Sequence, residues 1–283
     1  MSQSTDGPFT LSRYRLQTFE VCRRQFQLRF VDPLRWPASP EPATASFAQQ
    51  LGQQFHLLME RHFRNMPPPT ELDGEAAPER QAANERLAAL WHQFQQQPPP
   101  LPSGRRFVEY SLTVPCGKHF LTGRFDLLIV NGEAAHIFDW KTEPHPRPPA
   151  ELLQNLQTRL YLALVVAGAE AIQEEGAAIS PDKVTITYFY VQQPAASVTL
   201  QYSSKMQAEN WAALETISRE LSAQLAENQL VWALTNELAT CARCPYQILC
   251  GRQMAGQLPQ EEPPEENWRE VESQSALAPP PIL

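Results

Sequence analysis

Two acidic residues and a lysine form the pattern with the clearest chemistry in this sequence. Asp126 ends the motif GRFD, and Asp139 and Lys141 lie two residues apart in DWK. Side chains two apart on a β-strand share a face, and hairpin pairing can bring Asp126 beside the other two. Carboxylate oxygens hold Mg²⁺, which polarises a phosphate and helps ionise a water, and a lysine can orient that water or stabilise the developing charge. The grouping therefore indicates metal-assisted phosphodiester hydrolysis.

The competing interpretation of DWK is a solvated Asp–Lys pair on an exposed strand, which is what an isolated motif of this kind usually is. Here the segment HIFDWKT has apolar residues on both faces. That pattern is typical of an interior strand, where an ionised aspartate is costly without a metal or a partner. The surrounding residues therefore favour a site.

Cysteines form the second candidate site. Cys241, Cys244 and Cys250 have the spacing C-x₂-C-x₅-C, and a four-coordinate site needs one more thiolate. Cys22, far upstream, is the best candidate, which leaves Cys116 over. A disulfide framework is disfavoured in a chain of this size without a secretory signal. Zinc and iron–sulfur both accept such thiolates, and the spacing alone favours zinc.

Hydrophobic periodicity and turn residues predict the elements that position these groups. NGE and PCGK, each with a glycine, predict the two turns of a three-stranded meander. The order of elements predicts an α/β fold in which a mixed sheet is covered by helices. The predicted helices cover about residues 11–30, 43–63, 78–96, 151–168 and 206–228, and the predicted strands cover 106–114, 119–130, 135–142, 183–193 and 197–202.

Charge and composition limit the class of protein. The formal net charge of -8 is unusual for a protein that binds phosphates. Residues 259–283 carry six Glu against Arg269 alone, whereas residues 11–36 carry six Arg against two acidic residues, so a basic face remains possible. The chain has neither an apolar run of about 18 residues nor a secretory signal, which predicts a cytoplasmic protein without a membrane span.

Six residues together resemble the motifs of the RecB-family nucleases of the PD-(D/E)XK superfamily. The motifs are LGQQFH, GRFD, DWK and QTRLY, in this order, and the resemblance covers about residues 10–250. Individually each motif is weak, and their order and spacing carry the resemblance. The residues that match are His56, Asp126, Asp139, Lys141, Gln157 and Tyr161.

The resemblance implies a role for each residue of the first three motifs. His56, Asp126 and Asp139 would bind Mg²⁺ or Mn²⁺, and Lys141 would be the catalytic lysine. Without the resemblance, a lone histidine on a helix is usually an ordinary surface or core residue.

The last motif and one further acidic residue have supporting roles in this interpretation. Gln157 and Tyr161 lie four apart on one helical face and would contact the substrate strand or buttress the site. Tyr161, within LYLALVV, could equally be ordinary core. Glu109, in VEYSL, is expected to be a supporting or surface residue rather than a metal ligand.

For the cysteines, one early and three late residues resemble the [4Fe-4S] clasp of RecB-like nucleases, including AddB-type and CRISPR-associated members. The resemblance therefore favours an iron–sulfur cluster on Cys22, Cys241, Cys244 and Cys250, with zinc as the alternative occupant. The cluster would join the N- and C-terminal helical segments of a restriction-endonuclease-like fold.

These expectations predict one nuclease domain and a tail. The domain covers residues 1–258, with its catalytic core at about 104–203. The clasp is contributed by residues 10–36 and 238–252. Residues 259–283, which are acidic and rich in proline, are expected to be disordered.

The resemblance implies a metal-dependent deoxyribonuclease that acts as an exonuclease on single-stranded DNA or duplex ends. DNA repair, recombination or CRISPR-related processing, with a helicase or repair partner, is the implied setting. Arg13, Arg23 and Arg24 would contact DNA together with Gln157 and Tyr161. Two alternatives stay open: a catalytically silent DNA-binding or docking module with the same fold, and an unrelated α/β protein with a zinc clasp.

Overall fold

The computed structural model describes residues 7–34, 43–67, 78–173, 177–227, 229–242 and 244–252. The predicted disordered tail at 259–283 lies outside these residues. The chain divides into two compact units. The sheet unit comprises Ala43–Val114 and Thr122–Trp211, and the terminal unit comprises Met1–Pro42, Pro115–Leu121 and Ala212–Leu283. One nuclease domain over residues 1–258 stays a prediction.

A mixed sheet organises the fold, as the sequence predicts. β3 and β4 pair antiparallel, β4 and β5 pair parallel, and β5 and β6 pair antiparallel, while β2 pairs with β3. Within the terminal unit a short strand, β1 (Thr10–Leu11), pairs parallel with Phe120 and Leu121. The main strands are β2 (Arg105–Cys116), β3 (His119–Asn131), β4 (Ala134–Lys141), β5 (Val184–Tyr190) and β6 (Val198–Gln201).

Glycines make both turns of the predicted meander. Gly132, between β3 and β4, has a φ of 55°, and Gly117, between β2 and β3, has a φ of 61°. Left-handed backbone of this kind favours glycine because a side chain would be strained there. The turns inferred from NGE and PCGK are therefore present.

Helices flank the sheet. α3 (Ala43–Phe63) and α4 (Pro78–Gln96) have the predicted bounds. Their apolar residues form one core with β3, β4 and β5, in which Trp140 stacks on Phe63 and contacts Phe94 edge to face. The buried members of this core are Leu51, Phe55, Met59, Leu90, Phe94, Leu127, Ile129, Phe138, Trp140, Phe189 and Val191.

The helix predicted for residues 151–168 is interrupted. It consists of α5 (Pro149–Gln154) and α6 (Leu156–Ala167), followed by α7 (Ala169–Ile172). Asn155 separates the first two because its backbone is extended, with φ -64° and ψ 132°. α8 (Ser204–Ala226) is the last long helix of the chain's described part.

The N-terminal helix is also interrupted, at Cys22. α1 (Arg13–Val21) ends there and α2 (Arg23–Phe26) begins, followed by a π-helical turn at Gln27–Val31. The backbone of Cys22 is extended, with φ -157° and ψ 110°. The prediction of one continuous helix over residues 11–30 was therefore wrong. α9 (Leu238–Cys241) lies in the same unit.

Short 3₁₀ turns occur at Pro181–Lys183 and Pro194–Ala196. Within the described residues, no helix combines the length and the apolar character that crossing a membrane requires.

Candidate metal centre

The metal centre predicted from the sequence lies where β3 and β4 part. Their pairing runs from Asn131 with Ala134 to Leu127 with Phe138. Beyond it, Asp126 does not continue the ladder; its Oδ2 accepts a hydrogen bond from the backbone N–H of Trp140 at 2.9 Å. A carboxylate thus occupies the opening between the strands and is held there by the backbone of the DWK motif.

His56 approaches this carboxylate from α3. Its Nδ1 lies 3.1 Å from Oδ1 of Asp126. The neighbours Phe55 and Met59 are completely buried in the core, which fixes the rotation of the helix and hence the direction of His56. A histidine from a helix and an aspartate from a strand, both predicted ligands, are therefore in contact.

Asp139 is enclosed by the protein, with 5% of its surface exposed. Its Oδ1 lies 3.0 Å from Nζ of Lys141, and its Oδ2 accepts a hydrogen bond of 2.8 Å from Nε2 of Gln157. The ammonium of Lys141 also lies 5.5 Å from the ring centroid of Tyr188. Each carboxylate oxygen keeps a second lone pair, so these contacts leave Asp139 able to bind a metal.

Burial raises the pKa of Asp139, Lys141 and His56 lower it, and the charge of Asp126 raises it, so that the resulting pKa is about 6. Two carboxylates in a dry site repel each other when both are ionised. A divalent cation removes that repulsion, and hard carboxylate oxygens suit Mg²⁺ or Mn²⁺. The residues present therefore fit the metal that the sequence predicts.

Gln157 owes its position to the interruption of the helix. The side chain of Asn155 accepts a hydrogen bond of 2.7 Å from the backbone N–H of Gln157 and so caps α6. The first turn of α6 then directs Gln157 towards Asp139, and Thr158 hydrogen-bonds the Tyr188 hydroxyl at 2.7 Å. Helix capping thus places the predicted glutamine on the metal centre.

Tyr161, the last motif residue, is 2% exposed. Its ring packs on Phe125 with the centroids 4.9 Å apart, and Gly123 lies directly against it. This burial disfavours a contact with the substrate strand and fits the two other interpretations, a buttress of the site or ordinary core.

The structure also brings Glu109 to the site. Ligand atoms of His56, Glu109 and Asp126 all lie within 4.8 Å of one another. The side chain of Glu109 is 3% exposed and lies 2.7 Å from Nε of Arg124. The sequence analysis gave Glu109 as a supporting or a surface residue, and the second of these alternatives was wrong. The sequence carries no signal for this, because Val108, Tyr110, Leu112 and Val114 alternate regularly in it, whereas the buried positions in the structure change from odd at Phe107 to even at Leu112.

The four predicted cysteines share one neighbourhood in the terminal unit. Cys22 and Cys241 are buried, and Cys244 and Cys250 are partly buried. Burial raises the pKa of Cys244, and the charges of the three other thiols raise it further. Burial likewise raises the pKa of Cys250, with further increases from Cys22 and Cys241. Thiols from both ends of the sequence are thus close enough to repel one another as thiolates.

Cys116, which the prediction left over, is buried at the end of β2. Its carbonyl accepts a hydrogen bond of 2.6 Å from the hydroxyl of Ser218. The electrostatic contacts that join the four other cysteines do not include it.

The predicted DNA-binding arginines make contacts within the terminal unit. Arg13 is 4% exposed and donates a hydrogen bond to Gln17. Its burial contradicts the expectation of an accessible DNA contact, because the charge is enclosed by the protein.

Arg23 and Arg24 are less enclosed. Arg23 lies 3.5 Å from the ring centroid of Phe19 and pairs with Glu220 at 2.7 Å, and Arg24 donates to Gln27. The number of arginines in the sequence does not reveal that they are engaged in this way.

Comparisons with known proteins place this geometry in context. Residues 10–251 match a family described as the PD-(D/E)XK nuclease superfamily. The comparison with curated proteins gives no match.

Two solved structures are similar at low sequence identity. A protein of Eubacterium rectale, described as a candidate exonuclease, shares 12% identity with a TM-score of 0.48, over 83% of this chain and 87% of its own. SSO0001 shares 12% identity with a TM-score of 0.30, over 73% of this chain and 84% of its own.

Proposed function

This chain belongs to the PD-(D/E)XK nuclease superfamily, and on that premise we propose that it is a metal-dependent DNA nuclease of the RecB-like type. The observation that carries the proposal is the convergence of Asp126, Asp139 and Lys141 where β3 and β4 part, with His56 in contact with Asp126. An ion pair without a function would not require a second carboxylate and an imidazole beside it.

In this proposal His56, Asp126 and Asp139 hold Mg²⁺ or Mn²⁺. The metal, when bound, polarises the phosphate and lowers the pKa of an attacking water. The Trp140 N–H fixes Asp126, and Gln157 fixes Asp139, so that the donor groups need little rearrangement.

Lys141 completes the proposed site. Its ammonium is held beside Asp139, where it can orient the water and donate a hydrogen bond to the negative charge that develops on the phosphate oxygens. The side chain is largely enclosed, which strengthens that interaction relative to one in bulk water.

Single-stranded DNA and duplex ends are the substrates that the RecB-like resemblance implies, with exonucleolytic cleavage. The same resemblance implies work in DNA repair, recombination or CRISPR-related processing, beside a helicase or another repair protein. For the DNA contact we retain Arg23 and Arg24, which are half-buried, and omit Arg13.

Digestion of end-labelled single- and double-stranded DNA tests the activity. Asp139→Ala and Lys141→Ala should each lower the rate by at least about a hundredfold in Mg²⁺ or Mn²⁺. Lys183→Ala is a matched control, because Lys183 forms an exposed ion pair with Glu133 in the same unit and should leave the rate unchanged. Equal cleavage by all four proteins would point to a contaminating nuclease and contradict the active-site assignment.

A catalytically silent DNA-binding module is the second candidate. The observation that favours it is the formal net charge of -8, which is unfavourable for a freely acting nuclease. Calorimetry separates the two, because a silent module has no requirement for Mn²⁺, whereas the nuclease should bind Mn²⁺ and lose that binding in Asp126→Ala.

We also propose that Cys22, Cys241, Cys244 and Cys250 hold a [4Fe-4S] cluster that joins the N- and C-terminal segments. Their mutual electrostatic effects support a shared site for a cation-bearing group. The choice of iron–sulfur over zinc rests on the resemblance to the RecB-like nucleases, with one early and three late cysteines.

The colour of the protein tests the occupant. Protein purified without oxygen should be brown and absorb at about 400 nm, and Cys22→Ser should lower that absorbance. Cys116→Ser is the matched control and should leave the spectrum unchanged. A colourless protein that contains zinc would refute the cluster.

A further inference from the structure

Glu109 has an unusual backbone. Its φ is 49°, in the left-handed region, although it lies inside the long strand β2. Residues with side chains avoid this region, and such conformations persist where the surrounding structure enforces them. The alternation of buried side chains also slips here, from Phe107 on one side of Glu109 to Leu112 and Val114 on the other. Glu109 therefore marks a β-bulge.

A bulge changes the direction of a side chain relative to a regular strand, and bulges are frequent beside active sites. The preceding residue, Val108, packs against the core shared with α3 and α4. Glu109 is directed towards the metal centre, where its ligand atom lies within 4.8 Å of those of His56 and Asp126. The irregularity thus places a carboxylate where a regular alternation would not.

Arg124 holds this carboxylate. Its Nε lies 2.7 Å from Oε2 of Glu109, and Arg124 precedes Asp126 by two residues on β3. The glutamate is 3% exposed, so it is shielded from water on the side away from the arginine as well. Arg124 and Asp126 come from one strand, so the pair fixes Glu109 relative to an expected metal ligand.

The balance of charges at the centre favours a divalent cation beside the three carboxylates. Glu109, Asp126 and Asp139 carry three negative charges when ionised, and Arg124 and Lys141 carry two positive charges. With the imidazole of His56 neutral, this leaves a surplus of one negative charge, and an enclosed charge is costly unless it is compensated. A divalent cation supplies that compensation, and carboxylate oxygens are its preferred ligands.

We propose that Glu109 is a further metal-binding residue of this centre. Arg124 holds it in place, and it binds the metal from the side on which His56 and Asp126 lie. The inference rests on the metal-dependent function proposed above. It names a residue that none of the sequence motifs includes.

Calorimetric titration of the full chain with Mn²⁺ alone tests the inference. Glu109→Gln keeps the shape of the side chain and removes its charge, and we expect it to weaken Mn²⁺ binding by about tenfold or more. Glu133→Gln is the control, since Glu133 pairs with Lys183 on the surface, and its affinity should equal that of the unaltered protein. Wild-type affinity in Glu109→Gln would overturn the inference.

A double variant separates metal binding from neutralisation of Arg124. If Glu109 is a ligand, Glu109→Gln with Arg124→Gln should remain as weak as Glu109→Gln alone. If Glu109 only balances the arginine, the double variant should recover wild-type affinity, which would also overturn the inference. Should Glu109→Gln fail to fold, Glu109→Asp keeps the charge on a shorter side chain, and the same tenfold weakening is expected; wild-type affinity in that variant would then reject the role.

Asp126→Ala distinguishes this inference from the proposed function. If Asp126→Ala binds Mn²⁺ as tightly as the unaltered protein, the metal centre itself is misassigned. If Asp126→Ala loses binding while Glu109→Gln retains it, only the role of Glu109 fails.

Discussion

Replacement of Asp139 by asparagine should raise the free energy of unfolding of the metal-free protein relative to that of the wild type as the pH rises. Burial, with a contribution from Asp126, raises the pKa of Asp139 to about 6 from an ordinary value of 3.8. Between these two pH values the folded chain holds a proton that the unfolded chain has released. The free energy of unfolding therefore falls as the pH rises through this interval. Asparagine does not ionise, so the variant escapes this loss.

The expected size follows from the two pKa values. The interval between 3.8 and about 6 corresponds to about 3 kcal/mol of linkage. About 2 kcal/mol of this should develop between pH 4 and pH 7 as a growing difference between the variant and the wild type. Only 5% of Asp139 is exposed, so solvent screening reduces this free energy only slightly. The variant also loses the ion pair with Lys141. This loss shifts the difference in the free energy of unfolding between the variant and the wild type at every pH.

Urea unfolding in EDTA at several pH values, followed by circular dichroism, measures the difference. Asp182→Asn is a suitable control, because Asp182 is exposed and hydrogen bonds from Ser204 lower rather than raise its pKa, so its difference from wild type should not grow in the same direction. A difference between Asp139→Asn and wild type that stays constant from pH 4 to pH 7 would refute the reasoning. Mn²⁺ at about a hundred times its Kd should then stabilise the wild type by about 3 kcal/mol and the variant by much less.

Three further perturbations test the supports of the site. Gln157→Ala removes the donor to Asp139, and Mn²⁺ affinity at pH 7 should fall about tenfold in calorimetry; an unchanged affinity would show that this hydrogen bond does not position the carboxylate. Asn155→Ala removes the cap of α6 and should cost about 1 kcal/mol in urea unfolding, a prediction that equal midpoints would contradict. Gly123→Ala would place a Cβ 2.7 Å from Leu164 and 2.9 Å from Tyr161, and it should cost about 1–3 kcal/mol because these side chains must move; no loss of stability would mean that they yield freely.

The parts of the fold that depend on local patterns could be predicted from the sequence. α3 has the expected bounds because its apolar residues recur at helical spacing, with Leu51, Phe55 and Met59 buried on one face. The meander follows from alternation and from the glycines in its turns. The spacing of DWK gave the correct face for Asp139 and Lys141, which are paired in the structure.

Other features depend on the conformation of single residues that no periodic pattern encodes. Cys22 is at once the end of α1 and the cap of α2, where its sulfur accepts from the Gln25 N–H. Asn155 divides one apolar segment into two helices by the same means. The direction of the Glu109 side chain could be predicted only with knowledge that its backbone leaves the strand conformation. In each case the competing preference is a capping contact or a bulge that outweighs the local propensity.

Burial of charge could not be predicted from the sequence. Six arginines near the N-terminus are compatible with a basic face, but Arg13 is enclosed, and Arg23 contacts the ring of Phe19 and pairs with Glu220. Arginine combines an apolar stem with a planar charged group, so it suits interior contacts as well as phosphates. Only the three-dimensional contacts distinguish the two uses.

The position of the four cysteines along the chain governs when their site can be completed during synthesis. Cys22 is synthesised more than 200 residues before Cys241, Cys244 and Cys250. A group that binds all four can therefore be inserted only after Cys250 has been made. Until then, Cys22 is the one member of this set that the nascent chain carries. On the proposal that these four thiols hold one group, its binding is then a step that follows synthesis of the whole segment from Cys22 to Cys250.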